Sequence, residues 1–127
     1  MTIAVIGGLD RNAPNLRALA ERHGHRLEHH AGHWSTPHKR TLAAIMGRCD
    51  VAVIVTGHNN HPAVQFARTE ARRRGVPSLV CRRFSTANLA GLLDALARRD
   101  AFTQIDRNND GTLASATWLG ELHASRV

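Results

Sequence analysis

The sequence predicts an α/β domain: a three-layer, flavodoxin- or Rossmann-like parallel sheet of about four strands in the order 2-1-3-4, with helices on both faces. Three observations predict it. Short apolar runs alternate with helix-length amphipathic stretches in a repeating β-α pattern. Two of these runs, Ile3–Ile6 and Val51–Val55, are continuously apolar, which suits strands buried on both faces and puts them at the centre of the sheet. Pro14, Thr36-Pro37, Pro62 and Ser85 mark four helix starts, and Gly24 and Gly75 mark two helix ends.

Taken in order, Thr2–Ile6 is the first strand and ends at Gly7-Gly8. The helix from Pro14 puts Leu16, Leu19, Ala20 and His23 on one face. His25–His30 is a more polar strand, suited to a sheet edge. Thr36 caps a second helix that buries Leu42, Ile45 and Met46 and ends near Arg48-Cys49-Asp50. Val51–Val55 is the third strand, followed by the polar loop Thr56–His61. The helix from Pro62 turns Val64, Ala67 and Ala71 inward and Arg68, Arg72 and Arg73 outward. Val76–Cys81 is the fourth strand, and Leu89, Leu92, Leu93 and Leu96 form the apolar face of the last clear helix. This organisation predicts a ligand-binding α/β domain over residues 1–99 and a C-terminal extension over 100–127. In the extension, 101–105 either adds a strand or continues the helix, 106–112 is turn-rich, and Trp118, Leu119 and Leu122 suggest a short amphipathic segment.

The chain has 127 residues, enough for one core and too few for two ordinary domains. No apolar run approaches the ~20 residues of a membrane span, and no cleavable leader is visible, so a cytoplasmic protein without membrane contact is expected. Two cysteines, Cys49 and Cys81, do not make a disulfide framework. Seventeen Lys and Arg against 10 acidic residues give a net charge of +7, which favours anionic partners or reflects only an Arg-rich solvated surface. The arginines at 68–74 raise nucleic acid as a partner. The absence of a base-reading motif and the scarcity of aromatic residues disfavour it.

Strands that run parallel bring four loops to one rim: 7–11, 29–33, 56–61 and 82–85. Nine histidines make the chain histidine-rich, and His29, His30, His33, His38, His58 and His61 fall at this rim with Cys81. Imidazole is the commonest neutral ligand for transition metals and haem iron. His58 and His61 are therefore the leading candidate ligands, with His29, His30, His33 and Cys81 as helpers. The competing reading is that Asn59, Asn60 and His61 cap and turn the chain while the other histidines are solvated. Basic surroundings at a helix start would lower the Cys81 thiol pKa, although a small buried core residue is the simpler account.

The same rim suits an anion. Gly7 and Gly8 let main-chain amides approach a ligand, helix starts turn partial positive charge toward it, and Arg11, Arg82 and Arg83 add full charges. Asp10, Thr56, Gly57, Asn59, Asn60 and Ser85 complete this candidate ligand-binding set. Asp106-x-Asn108-x-Asp110-Gly111 resembles the start of a calcium loop, but Thr117 stands where the closing Glu belongs, so calcium is disfavoured.

Val5-Ile-Gly-Gly8, Val53-Ile-Val-Thr-Gly57 with His61-Pro-Ala63, and Gly75-Val-Pro with Val80-Cys-Arg-Arg-Phe-Ser85 together resemble the bacterial "domain of unknown function 2325" group. The resemblance spans about residues 1–97. It implies the same short α/β domain with a polar loop after the third strand, and it carries no activity. His58 stands where a smaller or thiol residue is expected. Three function classes follow from the sequence. One is a non-enzymatic binding or sensory module holding a transition metal or haem. Another is a phosphate- or nucleotide-binding regulatory domain, with a small enzyme of unassigned chemistry as a third. Open sheet edges add the expectation of a homodimer.

Overall fold

Four parallel strands form the sheet: β1 (Thr2–Ile6), β2 (Arg26–His30), β3 (Val51–Val55) and β4 (Ser78–Cys81). Their order is β2-β1-β3-β4, as the apolar character of the first and third runs predicts. The computed structural model describes residues 1–8, 10–57 and 59–98. His58, the turn-rich loop at 106–117 and the rest of the extension lie outside the described residues.

β1 is paired on both sides, with Ile3 opposite Leu27 in β2 and opposite Val51 in β3. Every residue of β3 is buried, so its five apolar side chains serve both faces of the sheet. β2 buries only Leu27 and His30 completely and lies at an edge, in keeping with its charged sequence.

Four helices cover the sheet: α1 (Ala13–Arg22), α2 (Thr36–Arg48), α3 (His61–Arg74) and α4 (Thr86–Arg98). A single 3-10 turn, Asp10–Asn12, precedes α1. The period-two alternation of the strands divides the core into two layers. Ile3, Val5, Val51, Val53 and Val55 face α1 and α4 and pack on Leu16, Leu89, Leu92 and Leu93. Ala4, Ile6, Ala52 and Ile54 face α2 and α3 and pack on Leu42, Ile45, Met46, Ala63, Ala67 and Ala71. Small alanines on both the strands and α3 let that second layer approach closely.

The helix starts differ in detail from the sequence expectation. Ser35 is the N-cap of α2, one residue before the predicted Thr36, and its hydroxyl bonds His38 Nδ1 instead of the helix amides. Asn60 is the N-cap position of α3 without a side-chain capping bond. α4 is capped reciprocally: the Asn88 amide donates to Ser85 Oγ, and the Ser85 amide and hydroxyl both donate to Asn88 Oδ1. His23, predicted on the buried face of α1, is exposed and bonds Leu19 O at the helix end, where a polar ring is easily solvated. Among the described residues, no helix is long and apolar enough to cross a membrane.

Candidate functional site

β1 and β3 are adjacent, yet the chain leaves them toward opposite sides of the sheet, and a crevice of about 390 Å³ opens where they part. Its floor is apolar: Val5 and Val55 from the strand ends, Leu16 from α1 and Phe84 from the β4–α4 loop. Its rim is glycine and arginine: Gly7, Gly8 and Arg11 on one side, Gly57, Arg82 and Arg83 on the other. Ser85 and Asn12 stand at its mouth. No carboxylate lines it among the described residues.

The two sides of the crevice are held differently. On the β3–β4 side, the Thr56 amide donates to Cys81 O at 2.7 Å and the Gly57 amide to Arg82 O at 3.1 Å, extending the parallel ladder beyond the strands. The Thr56 hydroxyl donates to the same Cys81 carbonyl. Thr56 therefore supports the loop and does not line the crevice. On the β1–β2 side, the Gly7 amide donates to His30 O at 2.7 Å. His29 lies in the crevice wall with its side chain 6% exposed. Its Nε2 donates to Gly7 O at 2.9 Å and its Nδ1 stands 3.5 Å from the exposed Asp10 carboxylate. His29 and Asp10 thus brace the Gly7-Gly8 turn.

Asn59 has a role that its residue type did not announce. Its Nδ2 donates to Val55 O at 2.7 Å and to Ile6 O at 3.2 Å, which ties the ends of β3 and β1 together. Its Oδ1 accepts the Asn60 amide at 2.7 Å. Gly7 (φ +98) and Gly32 (φ +88) are packed against this carboxamide, and a Cβ on either would collide with it. Both are in the left-handed region, where a side chain is strained in any case. Asn59 is therefore a structural clamp behind the crevice, on the side away from the arginines.

The described histidines of the rim divide: His30, His33 and His38 neighbour one another at the start of α2, while His29 lies in the crevice wall. His29 and His30 are adjacent on a strand, so their side chains leave opposite faces of the sheet. His30 is buried on the α2 side. Its Nε2 donates to His38 O at 2.9 Å and its Nδ1 accepts the Gly32 amide at 3.0 Å, which occupies both nitrogens of the neutral ring. Burial pushes its pKa below the ordinary 6.5, with the positive fields of His38, His29 and His33 adding to the effect and the bond to His38 O opposing it. His33 and His38 are exposed, with ring centroids 5.1 Å apart. His61 is the exposed first residue of α3. Cys81 is fully buried in the α1/α4 layer, and burial pushes its thiol up to about 12, the reverse of the lowered pKa that a reactive or ligating thiol needs. Among the described residues, no group of three or more His, Cys, Asp or Glu side chains is arranged to hold a metal ion.

Of the predicted ligand-binding set, Gly7, Gly8, Arg11, Gly57, Arg82 and Ser85 line the crevice together. Asp10 reaches it through His29, while Thr56, Asn59 and Asn60 lie behind or beside it. Asn12, Leu16, Arg83 and Phe84 complete the lining. Arg83 was visible from its place after the fourth strand. Leu16 and Phe84 carry only the signal of apolar residues close to predicted loops.

The chain belongs to the family described as uncharacterized proteins conserved in bacteria, the domain of unknown function 2325, whose model matches residues 2–96. The match covers all four strands and helices α1 to α3, with most of α4. UPF0751 proteins of Bacillus anthracis, from strains CDC 684 / NRRL 3495 and A0248, are each 32% identical to it over 78 residues, 61% of this chain and 77% of the relative. The family description and these names state no activity. No solved structure matches the chain significantly.

Proposed function

We propose that this domain is a binding module for a small phosphate-bearing ligand, seated in the switch-point crevice. The observation that carries the reading is the charge of the lining: Arg11, Arg82 and Arg83 stand around Gly7 and Gly8, with no carboxylate among the described lining residues. Glycine at the rim lets main-chain amides reach an anion, and three guanidiniums supply the forked donors that phosphate oxygens accept. The apolar floor and a volume of about 390 Å³ suit a small organic ligand better than a macromolecular surface. His29, the imidazole in the wall, is bonded to Gly7 O and faces Asp10, and in this reading it holds the glycine turn against the ligand.

Titration with inorganic phosphate at matched ionic strength, followed by melting temperature and calorimetry, tests the proposal. Phosphate should raise the melting temperature where equal chloride does not, and Arg82→Ala should weaken binding by about tenfold, the worth of one charge-assisted contact. An unchanged melting temperature across phosphate and phosphate esters would rule the proposal out.

A transition metal or haem at the same rim is a separate reading. It draws its support from the neighbouring exposed rings of His33 and His38. Elemental analysis of the purified protein and a Soret band on haem addition decide it. Neither signal would remain after His33→Ala with His38→Ala if those rings are the ligands.

A further inference from the structure

Beside the main crevice lies a second cavity of about 170 Å³, between the start of α1 and the start of α4. It shares Asn12, Leu16 and Ser85 with the crevice, so the two adjoin along one cleft between α1 and α4. Its remaining lining is Asn15 and Thr86. The two ends of this cleft differ in chemistry. The crevice end is ringed by arginines. The far end carries two carboxamides and two hydroxyls and no charged side chain among the described residues.

We infer that the phosphate ligand is a nucleoside monophosphate, with its phosphate among the arginines and its nucleoside extending into the cleft between α1 and α4. The inference rests on the phosphate reading above and adds the body of the ligand to it. A carboxamide offers two donors and an acceptor in one plane, which matches the alternating donors and acceptors along a nucleobase edge. Asn12 stands at the N-cap of α1 yet makes no side-chain capping bond, so its carboxamide is not spent on the helix. Ser85 is spent, since its hydroxyl is engaged with Asn88, and the polar reading therefore belongs to Asn12, Asn15 and Thr86. Leu16, 3% exposed and common to both cavities, gives a flat ring an apolar wall at the junction. A base attached to the sugar would place its polar edge beside Asn12, Asn15 and Thr86.

Calorimetry on the full chain tests the inference, using inorganic phosphate, ribose 5-phosphate and the four ribonucleoside 5′-monophosphates. At least one nucleotide should bind more tightly than ribose 5-phosphate by about tenfold, the worth of one or two neutral hydrogen bonds with some apolar burial. Asn15→Ala should remove that margin and leave the affinity for inorganic phosphate unchanged. Asn15 is exposed on the first turn of α1, so the variant is expected to fold, and its melting temperature in the absence of ligand checks this. Equal affinities for nucleotide and ribose 5-phosphate overturn the nucleoside inference while leaving the phosphate reading intact. A loss of phosphate and nucleotide binding in equal measure in Asn15→Ala overturns it too. No binding of inorganic phosphate, ribose 5-phosphate or nucleotide removes both readings.

Discussion

The two faces of the sheet meet the switch point in opposite ways. On the α1/α4 face the strand ends open onto a crevice walled by arginines, glycines and a few apolar side chains. On the α2/α3 face the same strand ends are closed by a clamp: Asn59 bonds the last carbonyls of β1 and β3, and Gly7 and Gly32 press against it. His30 completes that closure from β2, holding Gly32 by its amide and α2 by the His38 carbonyl. The difference shows how one loop divides its labour. On the α2/α3 face Asn59 and His30 are consumed by main-chain groups, whereas the arginines of the α1/α4 face line the open crevice.

Substitutions on the closed face should therefore cost stability and those on the open face should cost binding. The largest effect is expected from Gly32→Ala. Its Cβ would enter the space of Asn59 Oδ1 on a backbone already left-handed, and a loss of about 2–4 kcal/mol by denaturant unfolding is expected. Wild-type stability in that variant would show that the clamp is not tight. Next comes Asn59→Ala, which strips two strand-end carbonyls and the Asn60 amide of their partner, for about 1–3 kcal/mol. Asn59→Asp is the sharper probe. It keeps the shape but sets a carboxylate oxygen against the Ile6 and Val55 carbonyls, so it should unfold more easily than Asn59→Ala at pH 7.

A smaller effect concerns pH. His30 is neutral in the folded protein and its pKa lies below the ordinary 6.5, so the unfolded chain binds the proton more readily. Its contribution is therefore complete above about pH 6.5 and is lost as pH falls through that value toward the folded pKa. For a single proton the slope is at most about 1.4 kcal/mol per pH unit. Chemical denaturation between pH 5 and 8 should show the decline, and His30→Gln should flatten it. The smallest effect on stability belongs to Arg82→Ala on the open face, within about 0.5 kcal/mol of wild type, while phosphate affinity falls. A large loss of stability in that variant would erase the contrast between the faces.

The fold was legible because its signals are local and redundant. Uninterrupted apolar runs at 3–6 and 51–55 mark two-sided burial, and prolines and glycines punctuate the helices, so strand order and helix placement follow together. The crevice was legible to the extent that it follows from topology: Gly7, Gly8, Arg11, Arg82 and Ser85 all sit just beyond strand ends. His29 and His30 part company for a physical reason. Sharing a rim is not sharing a face, and the two-residue period of β2 sends His29 and His30 apart. The sequence leaves Asn59 open between a ligand contact and a turn residue, and its bonds to the Ile6 and Val55 carbonyls give it a structural role that no residue identity marks. Gly32 gave no warning either, since a glycine in a loop has many uses and its collision partner lies 27 positions away.

The pairing of β1 also has a kinetic side. This strand precedes both of its neighbours in the chain, with Thr2 opposite Arg26 and Ile3 opposite Val51. The first pairing closes a loop containing α1, and the second closes a longer one containing α1, β2 and α2. β1 is thus held on both sides by pairings that are distant in sequence. Its amides should be among the slowest to exchange with solvent, opening only when the whole domain does.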